Sequence, residues 1–165
     1  MRVSIQAEPF DVAAEIAALT RGRRDVGAVV SFTGLCRDEG GRLAALEIEH
    51  YPGMAEEEIA RVVEAVQRRW PLEDVSVIHR HGRIEPGEDI VLVVTASAHR
   101  RAAFEAAEFL MDYLKTSAPF WKREIPASGE PGAWVAAKAE DAADSRRWAG
   151  ECETRIAASG GIRRE

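Results

Sequence analysis

The chain has 165 residues, 46% hydrophobic and 30% charged, a balance that predicts one globular domain with a single sizeable core. Its formal net charge of −6 argues against nonspecific nucleic-acid binding, which requires a net positive surface, so any anion site must be local. The N-terminus lacks the apolar run of a signal peptide, and no stretch is long and apolar enough to span a membrane. We therefore expect a cytoplasmic protein.

The N-terminal third of the chain predicts three strands and one helix. Residues 2–6 are typical of a short strand, and Asp11 is a suitable N-cap for a helix that reaches about Leu19. An apolar, β-rich run covers residues 26–33, and a further strand is predicted over residues 43–50.

The middle of the chain predicts a long helix followed by two strands. A turn at 52–53 precedes an amphipathic helix that Pro71 ends. Strands at 74–80 and 89–97 are separated by a Pro-Gly turn at 85–88, so we expect them to pair antiparallel. The apolar face of the helix consists of Ile59, Val62, Val63, Val66 and Trp70.

The C-terminal part predicts two helices separated by an extended segment. The first helix covers about 100–115, the extended segment runs over 120–134, and the last helix covers about 138–149. The buried stripe of the first helix is predicted to contain Phe104, Ala107, Leu110, Met111 and Leu114. We predict a single α+β domain at 1–149, with antiparallel sheets and packed helices, and a flexible tail at 150–165.

A basic cluster, His99-Arg100-Arg101, coincides with the start of the helix at 100–115. Cations at this end oppose the helix dipole, and a bound anion would offset that cost by accepting from free N–H groups and arginine side chains. Solvated surface arginines would give the same pattern, so the sequence leaves both interpretations open.

Two lysines form a second basic group. Lys115 lies in the last turn of the same helix, where its charge complements the dipole without any further function. Lys122 lies in the segment PFWKRE, whose aromatic residues predict partial burial, and a lysine with a lowered pKa can act as a general base or nucleophile. Ion pairs with Asp112 or Glu124 are the alternative. Arg37, which opens a charged, glycine-containing loop, could join the lysines or be exposed.

The cysteines and histidines give weaker signals. Cys36 could be a sulfur-carrying nucleophile, but a lone cysteine is more often an inert buried residue. It is far in sequence from Cys152, so we predict no disulfide framework. His50, His79 and His81 lack metal-ligand spacing, which favours packing or surface roles, and we predict no metal site.

Six segments taken together resemble the large subunit of molybdopterin synthase. Two of them, MDYLKT and PFWKRE, contain the two lysines, and the set spans nearly all of residues 8–148. Each segment alone is a modest match, but the ordered set is highly specific. The segments are residues 27–34 with Arg37, 46–54, 78–82, 97–100, 111–116 and 119–124.

This resemblance implies a sulfurtransferase of molybdenum cofactor biosynthesis with an α/β-hammerhead fold. Two sulfur atoms would be added to cyclic pyranopterin monophosphate, which gives the dithiolene of molybdopterin. The sulfur would come from the C-terminal Gly-Gly thiocarboxylate of a small ubiquitin-like subunit, and two large subunits would form the centre of a heterotetramer. No metal or separate organic cofactor is implied.

The resemblance also assigns site residues. Lys115 is the first expected catalytic residue and Lys122 the second. The full set of expected substrate-binding residues is Leu35, Cys36, Arg37, His99, Arg100, Lys115, Lys122, Arg123 and Glu124. The chain departs from the family pattern at residues 35–36 and in its short loop at 38–41, positions that bear on loop closure.

Two other functions remain open from the sequence. A cysteine-persulfide sulfurtransferase would use Cys36 covalently, so Cys36→Ser would abolish its turnover. A noncatalytic binding module would take up the ubiquitin-like partner in the same groove without converting a substrate. Activity that survives the loss of both lysines would favour the binding module.

Overall fold

The computed structural model describes residues 1–38, 40–128, 132–135 and 148. In this part of the chain, three helices and eight strands form a single α+β arrangement with two four-stranded sheets. The elements are β1 (Arg2–Gln6), α1 (Val12–Thr20), β2 (Ala28–Leu35), β3 (Leu43–His50), α2 (Met54–Arg69), β4 (Asp74–Arg80), β5 (Gly82–Ile84), β6 (Asp89–Ser97), α3 (Arg100–Thr116), β7 (Phe120–Pro126) and β8 (Trp134–Val135). The α+β prediction is confirmed.

The first sheet has the strand order β1-β4-β6-β2. β6 pairs antiparallel with β4, as predicted, and also with β2. β1 instead pairs parallel with β4, a pair that the antiparallel prediction did not include. Parallel pairing is possible here because the long connection between these strands includes α1 and α2 and returns the chain to the same end of the sheet.

Helices cover both faces of the first sheet, which explains its continuous apolar strands. α2 and α3 pack on one face, where Val91 and Val93 of β6 join the main core. α1 packs on the other face, where Leu92 and Val94 contact the cluster around Leu19. A strand buried on both faces loses the apolar–polar alternation of a half-exposed strand.

The second sheet has the order β5-β3-β7-β8, and its described pairs are antiparallel. β5 was not predicted, because three residues are too few to show a periodic pattern. In the β3–β7 pair, Ile48 lies opposite Lys122 and Glu47 lies opposite Arg123. The pairing fixes which residues of β7 lie beside β3.

Local signals set the helix starts as the sequence predicted. The Asp11 carboxylate accepts hydrogen bonds from the backbone nitrogens of Ala13 at 2.9 Å and Ala14 at 3.0 Å. At the start of α2, Gly53 has a φ of +84°, and the Glu56 carboxylate accepts from the Gly53 nitrogen at 2.8 Å. Glycine adopts this conformation without a Cβ clash, so the turn and the helix start depend on the same residue.

One predicted core position is wrong. Phe104 is 61% exposed, although it was placed on the buried stripe of α3. It lies about 100° around the helix from Ala103, beyond the edge of the stripe that packs on the first sheet. Small side chains at the start of the stripe let the helix lie close to the strands. The buried residues of α3 are Ala102, Ala103, Ala106, Ala107, Leu110 and Leu114.

The predicted helix at 138–149 and tail at 150–165 lie outside the described residues, except for Trp148. The Trp148 ring packs edge-on against Trp70 and Phe109, and its Nε1 donates to Asp112 Oδ2 at 2.7 Å. Within the described ranges, no helix has the length and apolar character needed to cross a membrane.

Candidate active site

A cleft of about 670 Å³ opens where the C-terminal end of α3 meets the second sheet. A smaller chamber of about 150 Å³ adjoins it, and Leu46, Ile90, Lys115 and Lys122 line both spaces. The residues that line the larger cleft are Leu35, Cys36, Arg37, Arg42, Leu43, Leu46, Ile90, Lys115, Lys122, Glu124 and Pro126. Six of the nine residues expected to bind substrate are in that set.

Lys115 and Lys122 reach the same cleft because the chain reverses between them. Lys115 lies in the last turn of α3, and residues 117–119 connect this helix directly to β7, which begins at Phe120. The pairing of Lys122 with Ile48 of β3 holds Lys122 beside the wall of the cleft. The two lysines of the sequence hypothesis are therefore brought together.

The predicted partial burial of the segment PFWKRE holds for Phe120 and Arg123, which are half-buried, but not for Lys122, whose side chain is exposed in the cleft. Phe120 stacks on His79 with ring centroids 3.9 Å apart. Trp121 contacts Tyr51 instead and is 46% exposed. Because side chains alternate along a strand, Lys122 shares the face of Phe120, and its ammonium group lies at the cleft rather than in the core.

Positive charge dominates the lining of the cleft. Arg37, Arg42, Lys115 and Lys122 are cationic, and Glu124 is the one carboxylate among the described lining residues. The whole chain carries a formal charge of −6, so this cleft is a local concentration of positive charge on a chain that is negative overall. Arginines can hold a phosphate through two parallel hydrogen bonds, and lysines add compact point charges.

Arg42 is a lining residue that the sequence analysis missed. The Asp38 carboxylate accepts hydrogen bonds from the backbone nitrogens of Arg42 at 3.1 Å and Leu43 at 3.2 Å. The Arg42 carbonyl accepts from the Ala127 nitrogen at 2.9 Å. These bonds hold the end of the charged loop against the end of β7. The sequence alone does not distinguish Arg42 from an exposed surface cation, because its position in the cleft depends on these contacts between the loop and β7.

Arg123 does not line the cleft. It follows Lys122 on β7 and therefore lies on the opposite face of the strand. Its Nε donates to Glu47 Oε2 at 2.6 Å, and its guanidinium carbon lies 4.8 Å from the centre of the Trp134 ring. An ion pair across β3 and β7, with a cation–π contact, accounts for this residue.

His99 and Arg100 also lie away from the cleft of their own chain. His99 is the N-cap of α3 and Arg100 its first residue, whereas Lys115 is in its last turn. At 1.5 Å per residue, the two ends of the helix are about 24 Å apart. One chain therefore divides the predicted substrate-binding residues between two separate places.

Cys36 lies in the cleft wall but is only 4% exposed. Burial raises the pKa of the Cys36 thiol, and the carboxylates of Glu88, Asp38 and Glu124 raise it further. Its backbone is bonded to the turn before β6, with its nitrogen donating to the Glu88 carbonyl at 2.8 Å. A raised pKa reduces the thiolate population, which argues against persulfide chemistry at this residue.

His79, for which the sequence favoured packing or a surface role, lines the smaller chamber. It is 8% exposed, and its Nδ1 lies 2.8 Å from the Arg80 carbonyl oxygen. Burial lowers the pKa of His79 to about 4, and the nearby charge of Lys122 lowers it in the same direction. No sequence signal could have placed it here, because the contact depends on β7 lying over β4. No group of three or more His, Cys, Asp or Glu side chains among the described residues is placed to hold a metal ion.

The chain is similar to known proteins over most of its length. The family model described as MoaE protein matches residues 5–117. The molybdopterin synthase catalytic subunit of Mesorhizobium japonicum is 66% identical over 151 residues, which cover 92% of this chain and 95% of that protein.

Two solved structures share the fold. The molybdopterin biosynthesis MoaE protein of Burkholderia ambifaria superposes with a TM-score of 0.77 at 45% identity, covering 90% of this chain and 97% of that one. Molybdopterin synthase from Staphylococcus aureus gives a TM-score of 0.72 at 32% identity, covering 80% of this chain and 95% of that one.

Proposed function

Because the chain belongs to the MoaE family of molybdopterin synthase catalytic subunits, we propose that it transfers two sulfur atoms onto cyclic pyranopterin monophosphate. The product would be the dithiolene of molybdopterin. One observation carries the proposal: Arg37, Lys115, Lys122 and Glu124, which lie in three separate segments, line one cationic cleft.

The shape and charge of the cleft suit a planar, phosphorylated substrate. A volume of about 670 Å³ is within the ordinary range for small-molecule sites. Arg37 and Arg42 provide the groups for the phosphate. Leu43, Leu46 and Ile90 provide an apolar wall on which a planar ring can lie. The pterin would therefore bind along this wall, with its phosphate towards the arginines.

The chemistry is two successive substitutions of oxygen by sulfur. The sulfur of a thiocarboxylate forms a bond to a side-chain carbon of the pterin as the C–O bond on that carbon breaks. At the carbon that carries the cyclic phosphate, the oxygen stays on phosphorus and the ring opens to a phosphate monoester; at the carbonyl carbon, the oxygen leaves as water. A water molecule then cleaves the acyl–sulfur bond, which leaves a thiol on the pterin and a carboxylate on the donor. A second donor repeats both steps at the neighbouring carbon.

The two lysines serve this chemistry by supplying protons and positive charge. The Lys115 ammonium donates a proton to the departing oxygen, and the Lys122 ammonium stabilises the anionic thiocarboxylate and the oxyanion formed when its acyl group is attacked. Glu124, which lines the same cleft, would accept a proton from the attacking water.

The donor is a small ubiquitin-like subunit that ends in a Gly-Gly thiocarboxylate. The designation of the Mesorhizobium japonicum relative as a catalytic subunit supports a second, noncatalytic partner. Two glycines without side chains can pass along a narrow cleft in extended form, which suits delivery of sulfur to a site between a helix and a sheet. The protein would act in the cytoplasm, where the thiocarboxylate stays reduced.

A second copy of the chain would supply His99 and Arg100. These residues are about 24 Å from Lys115 of their own chain, so they can serve the cleft only from another molecule. An apolar face beside the edge strand β2 supports self-association, because Phe32 is 40% exposed and Phe104 61% exposed there. Two such copies, each with a small subunit, give a heterotetramer.

The test is reconstitution with a thiocarboxylated small subunit and the cyclic pterin precursor, with the dithiolene product followed by mass spectrometry. Wild type and Cys36→Ser should form product, and Lys115→Ala and Lys122→Ala should each lose about a hundredfold or more in rate. Arg68→Ala is the matched control, since it removes an exposed cation on α2 that pairs with Glu64. Absence of product from wild type, despite partner binding, would refute the proposal.

A further inference from the structure

His79 carries a polar atom that the fold leaves facing the smaller chamber. A carbonyl oxygen can only accept, so His79 Nδ1 carries the proton that is donated to the Arg80 carbonyl, and Nε2 is an acceptor. In the described part of the chain, every fully buried side-chain nitrogen or oxygen atom has a hydrogen-bond partner. The described residues give Nε2 no such partner, so it opens into the chamber that His79 lines.

The imidazole ring is held in one orientation. β4 is a central strand of the first sheet, flanked by β1 and β6. The ring stacks on Phe120 with centroids 3.9 Å apart and an interplanar angle of 14°. The hydrogen bond to the Arg80 carbonyl fixes the other edge of the ring. Nε2 is therefore a preorganised acceptor, with little conformational freedom left to lose when a donor arrives.

Among the nearby charges, that of Lys122 has the largest effect on His79. Lys122 lies two residues after Phe120 on β7, so it projects from the same face of the strand as the ring that covers His79. Lys122 and His79 line the same chamber of about 150 Å³, and the charge of Lys122 acts on the imidazole. Lys122 borders both spaces, and Nε2 offers its ammonium group an acceptor in the smaller one.

We propose that His79 is a positioning residue for Lys122: its Nε2 accepts a hydrogen bond from the Lys122 ammonium and directs that group towards Lys115 and the bound substrate. This rests on the proposed function and names a residue that sets the geometry of the same site. Without an acceptor, the flexible Lys122 side chain would sample many rotamers. A hydrogen bond to His79 Nε2 favours one of them.

The surrounding charges keep the imidazole in its accepting form. The titratable groups that face it are Lys122 on β7, Lys115 at the end of α3, His50 on β3 and His81 before β5. The charges of Lys122, His50 and His81 each oppose a positive charge on the imidazole. Burial, the larger effect, holds the pKa of His79 at about 4, so the ring remains a neutral acceptor at neutral pH.

Two substitutions at His79 separate the acceptor from the stacking and packing roles. His79→Asn keeps a donor near the Arg80 carbonyl but removes the acceptor at the position of Nε2, and it should lower kcat about tenfold or more with little change in KM for the pterin. His79→Gln places an amide oxygen near the position of Nε2 and should recover most of the lost kcat. Arg68→Ala, at an exposed cation on α2 that lines neither space, should leave kcat unchanged.

The decisive comparison is made in a Lys122→Ala background. If His79 acts through Lys122, His79→Asn should cause no further loss of kcat there, whereas a structural defect would lower kcat in both backgrounds. Equal losses for His79→Asn and His79→Gln, or an equal loss with and without Lys122, would overturn the proposal. Melting temperatures of all variants identify any that fail to fold.

A spectroscopic measurement keeps the two proposals distinguishable. Long-range ¹H–¹⁵N spectra report the Nε2 shift of His79 without turnover, and Lys122→Met should change it while Lys115→Met changes it much less. If Lys122→Met leaves the ¹⁵N chemical shift of Nε2 unchanged, the positioning role is refuted. Absence of product from wild type refutes the proposed function, and the spectra still test the contact.

Discussion

The two sheets of this molecule have different compositions and different tasks. In β6 of the first sheet, every residue from Val91 to Ser97 is buried, and helices lie on both faces. In β7 of the second sheet, Lys122 and Glu124 are exposed and line a cleft. The first sheet therefore carries most of the core, and the second presents the charged groups.

This division shows how a buried core can support an exposed, charged site. α3 joins the two regions, because its buried stripe packs on the first sheet and its last turn presents Lys115 to the second. His79 joins them as well, since it belongs to β4 and stacks on Phe120 of β7. The comparison predicts that, apart from His79, substitutions in the first sheet mainly change stability and those in the second mainly change activity.

The largest expected effect comes from a matched pair of leucines, one in each sheet. Leu92 of β6 is 0% exposed, and Leu92→Ala should lower the free energy of unfolding by about 3 kcal/mol through lost burial and a cavity. Leu46 of β3 is half-buried in the cleft wall, and Leu46→Ala should cost about 1 kcal/mol. Urea denaturation gives both values, and equal costs would contradict the proposed division.

The second prediction concerns pH and the histidine that links the sheets. The ordinary pKa of a histidine is 6.5, and the pKa of His79 in the folded chain is about 4. At pH values between these two, the unfolded chain binds a proton at His79 that the folded chain does not. The free energy of unfolding should therefore fall as pH falls through this window, by roughly 2–3 kcal/mol. His79→Phe, which keeps an aromatic ring against Phe120, should remove that part of the pH dependence. The same slope in both proteins would show that His79 is not the group responsible.

The sequence predicted most of the scaffold, because the signals there are local. The N-cap at Asp11, the glycine turn before α2 and the apolar runs of β4 and β6 each act within a few residues. The failures have non-local causes. The parallel β1–β4 pair depends on a long connection, and the exposure of Phe104 depends on how closely α3 approaches the sheet.

The candidate site could be predicted only in part. Lys115 and Lys122 are close in sequence, and a short connection brings them into one cleft. His79 and Arg42 reach the site through contacts between distant segments, which no periodicity records. The resemblance assigned Arg123 to the substrate site, whereas strand alternation places it on the other face of β7, where it pairs with Glu47.

The third prediction tests α1, which packs on the face of the first sheet opposite to α2 and α3. The Asp11 carboxylate accepts from two backbone nitrogens at the start of α1, and Asp11→Ala should cost about 1 kcal/mol of unfolding free energy. Asp11→Asn, which keeps an accepting oxygen, is the control and should recover most of this loss. Product formation should be unchanged in both variants, because α1 does not line the cleft. Reduced turnover in a folded Asp11→Ala protein would contradict the separation of tasks.

The smallest expected effect concerns the two faces of β7, where neighbouring cations should behave differently. Arg123 pairs with Glu47 at 2.6 Å, and both side chains are partly open to solvent, so Arg123→Ala should cost only about 0.5 kcal/mol. A double-mutant cycle with Glu47→Ala should return the same small coupling, weaker at high salt because the pair is screened. Turnover should change less than about threefold, against about a hundredfold for Lys122→Ala. If Arg123→Ala lowered turnover as much as Lys122→Ala, the substrate would extend past the edge of β7, and the second sheet would act through both of its faces.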